Sequence, residues 1–260
     1  ENLLKGLGME DKLEGRVEYI AGINHMAWLL SLHDKDGNDL YPEIKKRAAH
    51  KNATEKHDDM VRYEYIKHLG YYCTESSEHN AEYNPFFLKK GYPELVDRFN
   101  IPLDEYPRRC IRQIAEWDEE WKKIHNQGSI GHERSLEYAS HIMEAVVTNS
   151  VYKINGNVLN TDLIDNLDRD ACVEVPCLVD GSGVHPCKVG KLPAHLAAMN
   201  MTNVNTQLLA VEAAVSKKKE DVYHAAMLDP HTAAELSIDD IVAMCDEMIE
   251  EHGPLMEMYR

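Results

Sequence analysis

The apolar segment from Val17 to Leu32 most constrains how this chain can fold, because so much apolar surface must be buried. It reads VEYIAGINHMAWLLSL, with β-forming residues near both ends. Gly22 and the polar pair Asn24-His25 interrupt the apolar run. This pattern predicts one strand up to Gly22, a break, and a second strand after His25.

The charge of the chain limits the partners that it can have. Its 260 residues include 28 Lys+Arg and 45 Asp+Glu, so the net charge is −17. A field of that sign repels nucleic acid and anionic membranes, and no apolar run reaches the roughly 20 residues that span a bilayer. Charged residues at 28% and hydrophobic residues at 43% are near globular averages. We therefore expect a folded protein with no nucleic-acid or membrane partner.

The six cysteines are scattered, and none forms a C-x-x-C pair. Disulfide frameworks are typical of small secreted domains, which are much shorter than this chain. The sequence begins at Glu1 without an initiator Met or a signal-peptide pattern. We expect reduced thiols, a cytoplasmic location and a chain that is a piece of a longer protein.

Several long segments show helical periodicity. The predicted helices cover 58–69 with Gly70 as the terminating residue, 106–127, 135–148, a long stretch after Pro193, and a segment from an N-cap at Ser237 to a stop before Gly253. In the helix over 106–127, Trp117 and Trp121 recur at helical spacing with other apolar residues. We expect that stripe to face the core.

Short strands are predicted between these helices. Asn155-Gly156 separates two β-forming runs and favours a hairpin turn. The run from Cys172 to Val175 alternates as a strand does, and Pro176 predicts an edge or a bulge at its end. The predicted fold class is α+β, helix-rich with short antiparallel strands.

Two polar features could take part in catalysis or in metal binding. One lies at the break in the apolar segment, and the other lies in the first predicted helix. Asn24-His25 lies among apolar residues, so its imidazole either bonds to backbone or binds a metal. Glu64 projects between Met60 and Val61 on the helical wheel. A carboxylate at this apolar margin could have a raised pKa and act as acid or base, or it could be an exposed partner of His68.

A third polar feature is the segment 74–83, TESSEHNAEY. It holds acids, hydroxyls and an imidazole without a regular period. Such a loop could face a sugar or a metal, or it could simply be solvated. No G-x-G-x-x-G, Walker A or G-x-S-x-G motif occurs in the chain, so it carries no glycine loop for a nucleotide.

The chain resembles the α-galactosidases of glycoside hydrolase family 4 over nearly its whole length. The phrases that carry the resemblance are AGINHMAWLL, RYEYIKHLGYYCTESSEHNAEYNPFF, PLDEYPRRC, LIDNL, CVEVPCLVD, KVGKLPAHLAAMN and VYHAAMLDPHTAAELSIDDI. The family's glycine-rich dinucleotide loop and its Cys-His metal pair precede the first residue. The resemblance implies that residues 1–260 are the C-terminal domain, similar to that of lactate and malate dehydrogenases, without the Rossmann domain.

The resemblance also implies the family's NAD- and metal-dependent chemistry. NAD takes a hydride from C3 of the sugar, a base removes the C2 proton, a divalent metal, usually manganese, stabilises the enediolate, and the glycosidic oxygen leaves. Water then adds and the hydride returns. Alternatives are an α-glucoside or α-galacturonide as substrate, or a piece that serves only in dimerisation, because family members form homo-oligomers through this domain.

The family's site residues fall on five positions of this chain. The resemblance implies that His25 binds the metal, that Asn24 lies close to the substrate, and that Glu64 occupies the position of the catalytic Asp or Tyr of relatives. His79 and Glu82 are implied sugar contacts. The NAD contacts of this domain are not implied.

Overall fold

The computed structural model describes residues 1–126 and 137–260 of the chain. The helices are α1 Asn2–Gly6, α2 Tyr41–Thr54, α3 Met60–Leu69, α4 Ser77–Glu82, α5 Glu94–Arg98, α6 Glu105–Asn126, α7 Ala139–Thr148, α8 Ala194–Ser216, α9 Lys219–Met227, α10 Pro230–Glu235 and α11 Ile238–His252. The strands are β1 Val17–Ile23, β2 Met26–His33, β3 Tyr72–Cys73, β4 Tyr152–Leu159, β5 Cys172–Asp180 and β6 Gly183–Pro186. The predicted α+β class is confirmed.

The strands form one antiparallel sheet in the order β3-β2-β1-β5-β4, and β6 pairs with β5. The predicted break in the apolar segment is the tight turn between β1 and β2, where Ile23 pairs with Met26. His25 has a positive φ of 65°, which places its backbone in the left-handed region. The turn therefore projects Asn24 and His25 from one end of the sheet.

The hairpin predicted at Asn155-Gly156 is wrong, because β4 continues through both residues. Gly156 lies opposite Val175 on β5, and a Cβ atom there would lie 2.9 Å from the Sγ atom of Cys177. The glycine thus allows a close approach between β4 and β5 rather than a turn.

Pro176 does not end its strand, so the predicted edge or bulge there is wrong. It pairs with Asn155 inside β5. On the other side of β5, pairing with β1 involves Glu174, and pairing with β6 begins at Cys177. Pro176 therefore lies where one neighbouring strand gives way to another, a position that tolerates a missing N–H.

The main hydrophobic core lies between the sheet and helices α3, α4, α7 and α8. Trp28 of β2 is fully buried, and its Nε1 donates a hydrogen bond to Oδ1 of Asn200 on α8 at 3.1 Å. The Nδ2 of Asn200 donates to the Met26 carbonyl at 2.7 Å. Both bonds hold α8 against the start of β2, next to the turn that carries His25.

The helix ends match several of the predictions. Gly70, in the left-handed region, ends α3, and Ser237 caps α11 through a reciprocal contact with Asp240. The predicted ends at Gln127 and Ser135 lie outside the described residues.

The predicted burial of the tryptophan stripe is wrong. Trp117 is 57% exposed and Trp121 is 51% exposed, and no residue of α6 is buried. The periodicity was sufficient to predict the helix, but the described residues supply no surface that covers its apolar side.

Candidate functional site

A cleft of about 380 Å³ opens beside the turn between β1 and β2. Its lining residues are Ile23, Asn24, His25, Met26, Tyr83, Asn203, Thr206, Gln207 and Asp229. They come from the turn, from the end of α4, from α8 and from the start of α10. Amide, hydroxyl, carboxylate and imidazole groups thus meet on one concave surface, a donor set suited to a polar ligand.

His25 is the centre of the polar contacts at this cleft. Its Nδ1 lies 3.3 Å from the Tyr83 hydroxyl oxygen, and its Nε2 lies 3.6 Å from Oε2 of Glu75. Its ring stacks on His79 with centroids 5.2 Å apart. Both ring nitrogens are therefore close to groups that can fix the imidazole's orientation.

The segment after β3 brings His79 and Tyr83 to His25. Ser76 caps α4 by accepting a hydrogen bond from the His79 N–H, and Nδ2 of Asn80 donates to the Thr74 and Ser76 carbonyls. His79 and Tyr83 are four residues apart, so both project from one side of α4. The predicted contacts His79 and Glu82 lie 3.0 Å apart, from Nδ1 to Oε2.

Glu75 was part of the polar loop in the sequence but was not singled out there. Its φ of 68° is unusual for a side chain with a Cβ, and it brings the carboxylate against His25. Thr74 supports this geometry, since its hydroxyl accepts a hydrogen bond from the Ala27 N–H at 3.1 Å.

Glu64 occupies a different place. Its side chain is 13% exposed, and its carboxylate lies 3.2 Å from Nζ of Lys67 and 3.1 Å from Nε2 of His68. It lines a second cleft, with Tyr65, Phe86, Phe87 and Phe99 among its neighbours, and it does not line the cleft beside His25. The pairing with His68 that the sequence left open is present, and the catalytic role of Glu64 stays a prediction.

Tyr83 also belongs to the polar segment 74–83 but was not singled out in the sequence, and nothing in the sequence indicated the cleft residues on α8 and at the start of α10. Burial, together with the carboxylates of Glu82 and Glu75, raises the pKa of the Tyr83 phenol. The sequence signal for Tyr83 is its spacing of four residues from His79, which puts the phenol beside the His79 imidazole at one end of α4.

Glu174 is another residue that was not singled out in the sequence. It lies on β5 opposite Gly22, and burial raises its pKa to about 7, with a smaller contribution from the Glu75 carboxylate. An acid in the middle of the alternating run VEVP was the available signal.

The donors around His25 fit part of a manganese site. Carboxylate oxygen suits this ion and imidazole nitrogen is the commonest side-chain ligand of metals in general, and Glu75 and His25 present one of each. Among residues 1–126 and 137–260, no group of three or more His, Cys, Asp or Glu could hold a metal ion. The described residues therefore supply only part of a coordination set.

Comparison with known proteins defines the class of this chain. The model of the family 4 glycosyl hydrolase C-terminal domain matches residues 20–232. The chain therefore belongs to family 4 of the glycosyl hydrolases.

One similar relative is the α-galactosidase of Bacillus subtilis (strain 168), which is 56% identical over 260 residues, covering 100% of this chain and 59% of the relative. The chain thus spans about three-fifths of that protein's length.

Two solved structures share the fold. The first is the Bacillus subtilis protein lplD, with a TM-score of 0.81 and 20% identity, covering 95% of this chain and 58% of that one. The second is a 6-phospho-α-glucosidase from gut microorganisms in complex with NAD and Mn²⁺, with a TM-score of 0.68 and 21% identity, covering 99% and 59%.

Proposed function

We propose that residues 1–260 are the C-terminal domain of an α-galactosidase that uses NAD and a divalent metal, and that a Rossmann domain lies in another part of the protein. The observation that carries this proposal is the 56% identity to an α-galactosidase over the whole chain. Substrate contacts in the proposed site come from the cleft beside the turn that bears Asn24 and His25.

His25 is the proposed metal-binding residue, and Glu75 is placed to assist it. The cofactors, when bound, supply hydride exchange from NAD and Lewis-acid charge from Mn²⁺. The residues of this chain would fix the orientation of the His25 imidazole. Tyr83 and Glu75 support this orientation from opposite sides of the ring, near Nδ1 and Nε2 respectively.

Tyr83 is the group best placed to move the C2 proton. Its hydroxyl lies at the cleft within 3.3 Å of His25, whereas the Glu64 carboxylate is held by Lys67 and His68 outside it. The phenolate oxygen would accept the proton that leaves C2. Since burial raises the pKa of Tyr83, this role needs positive charge nearby, and the site of His25 is where that charge would be bound.

Asn24, His79 and Glu82 are the proposed contacts to the sugar. Asn24 lines the cleft, whereas His79 and Glu82 do not; His79 stacks on His25 and pairs with Glu82. Amide, imidazole and carboxylate groups bind vicinal hydroxyls by complementary donation and acceptance. A galactoside is a neutral substrate that suits such a set.

We also propose that the protein is cytoplasmic and forms homo-oligomers. The six cysteines are free thiols, as a reducing compartment requires. In the described part of the chain, no helix has the length and apolar character that crossing a membrane demands.

The test is hydrolysis by the full-length protein of nitrophenyl α-galactoside, α-glucoside and α-galacturonide. We expect turnover of the galactoside that depends on added NAD and Mn²⁺ and stops with a chelator. Preference for one of the other two glycosides would replace the proposed sugar. Full galactoside turnover without NAD or metal would contradict the proposed chemistry.

A further inference from the structure

Helix α6 carries an apolar seam that the described residues leave uncovered. Cys110, Ile114, Trp117, Trp121 and Ile124 are spaced alternately by four and three residues, the heptad spacing of a coiled coil. Ile114 is 74% exposed, Trp117 57%, Trp121 51% and Ile124 41%. A helix with such a seam is stabilised when a second helix covers it.

We propose that the seam is covered by α6 of a second copy of this chain, in antiparallel orientation about a two-fold axis. This inference extends the homo-oligomer proposed above by assigning its interface. If Ile114 lies opposite Trp117 of the second copy, then Cys110 lies opposite Trp121 of that copy. The two-fold axis repeats each pairing with the two copies exchanged. The seam is therefore self-complementary, as an isologous contact requires.

The charges beside the seam favour the same arrangement. At 3.6 residues per turn, Arg109 and Glu120 lie within about 20° of each other around the helix, on one flank of the seam. In the antiparallel register, Arg109 comes within about 3 Å, along the axis, of the level of Glu120 on the second copy. The two-fold axis repeats this pair, so the dimer gains two opposite-charge contacts.

The exposed area also approaches that of a stable interface. Two half-exposed tryptophans leave on the order of 200 Å² uncovered, and the isoleucines of the seam add to this. The sum per copy reaches several hundred Å², against roughly 800 Å² per partner in a standard interface. Patches of this size on a monomer are usually functional.

Sedimentation equilibrium of the full-length protein tests this assignment. Trp117→Glu places a charge in the centre of the seam and should raise the dimer dissociation constant at least tenfold. Arg109→Glu and Glu120→Arg should each weaken the dimer severalfold, and the double variant should restore it, because the pair is re-formed across the axis. Val184→Glu, at an exposed apolar position on β6, should leave the dissociation constant unchanged.

Each outcome bears on the assignment. If the protein is monomeric at every concentration, or if Trp117→Glu dissociates no more than the wild type, the seam does not join two copies. If the single charge variants weaken association and the double variant does not restore it, the occupant is another surface. If circular dichroism shows that Trp117→Glu is misfolded, the Arg109→Glu, Glu120→Arg and double variants still test whether the seam joins two copies. Glycosidase assays of the wild type test the proposed function separately, because their result does not depend on the molecular mass measured by sedimentation.

Discussion

Nδ1 of His25 lies 3.3 Å from the hydroxyl oxygen of Tyr83, although 58 residues separate the two in sequence. The turn between β1 and β2 supplies the imidazole, and the segment at the end of α4 supplies the phenol. Both side chains line one cleft. This pair joins the proposed metal-binding residue to the proposed proton-transfer residue.

The role of Tyr83 predicts a large loss of turnover in Tyr83→Phe. Removing a positioned acid–base group lowers kcat by roughly two to four orders of magnitude, while KM changes little if the sugar contacts remain. Steady-state kinetics of the full-length enzyme measures both. A Tyr83→Phe enzyme with near-normal kcat would assign proton transfer to another group.

Glu64→Gln gives the matched comparison for that experiment. If Glu64 is the base, as its family position implies, kcat falls by a similar factor and exchange of the C2 proton with solvent disappears. The position of Glu64 outside the cleft beside His25, where it pairs with Lys67 and His68, instead predicts a change of less than about threefold. The two variants together locate the base.

His25→Ala should weaken Mn²⁺ binding to the full-length protein. Loss of one imidazole removes a coordinate bond, and we expect the affinity to fall by at least tenfold. Titration calorimetry with Mn²⁺ alone measures this without an activity assay. The control is His68→Ala, at a largely exposed histidine outside the cleft. Equal Mn²⁺ affinity in both variants would remove His25 from the metal site.

Glu174 predicts a pH dependence of stability. Its pKa is about 7 in the folded chain, above the usual value of 4.5, so the folded state holds a proton that the unfolded state has released. Its contribution therefore makes the free energy of unfolding fall as pH rises between about 4.5 and 7. Glu174→Gln should flatten this fall in urea melts at pH 5 and pH 7.5. An unchanged slope would show that Glu174 titrates normally.

Gly156→Ala should destabilise the fold, because the new methyl group would lie 2.9 Å from the Sγ atom of Cys177. Overpacking of a close approach costs about 1–3 kcal/mol of unfolding free energy. Gly91→Ala is the control, since nothing lies within 4 Å of a Cβ there. A Gly156→Ala variant as stable as Gly91→Ala would mean that β4 and β5 separate easily at this point.

The sequence pattern predicted those parts of the fold that interactions between neighbouring residues determine. Gly70 and Ser237 end or begin helices because their own backbone and side chain satisfy the helix termini. Gly156 and Pro176 were misjudged because their neighbours on adjacent strands, rather than their sequence neighbours, determine what they do. The seam of α6 shows the same limit, since periodicity predicts an apolar face but not the surface that covers it.

The candidate site was predicted in part for a similar reason. The break in an apolar run marked Asn24-His25, and the polar loop marked the segment that holds His79 and Glu82. Tyr83 and Glu75 come to His25 only through the pairing of β2 with β3 and the cap of α4. No spacing in the sequence relates a turn to a helix end 58 residues away.

Hydrolysis of an α-galactoside by the full-length enzyme in D₂O tests the central claim most directly. Removal of the C2 proton and its return from solvent predict galactose that carries deuterium at C2, which NMR or mass spectrometry detects. A glycosidase that uses two carboxylates leaves that C–H bond intact. Complete hydrolysis with no deuterium at C2 would contradict the oxidation–elimination chemistry and, with it, the roles proposed for Tyr83 and His25.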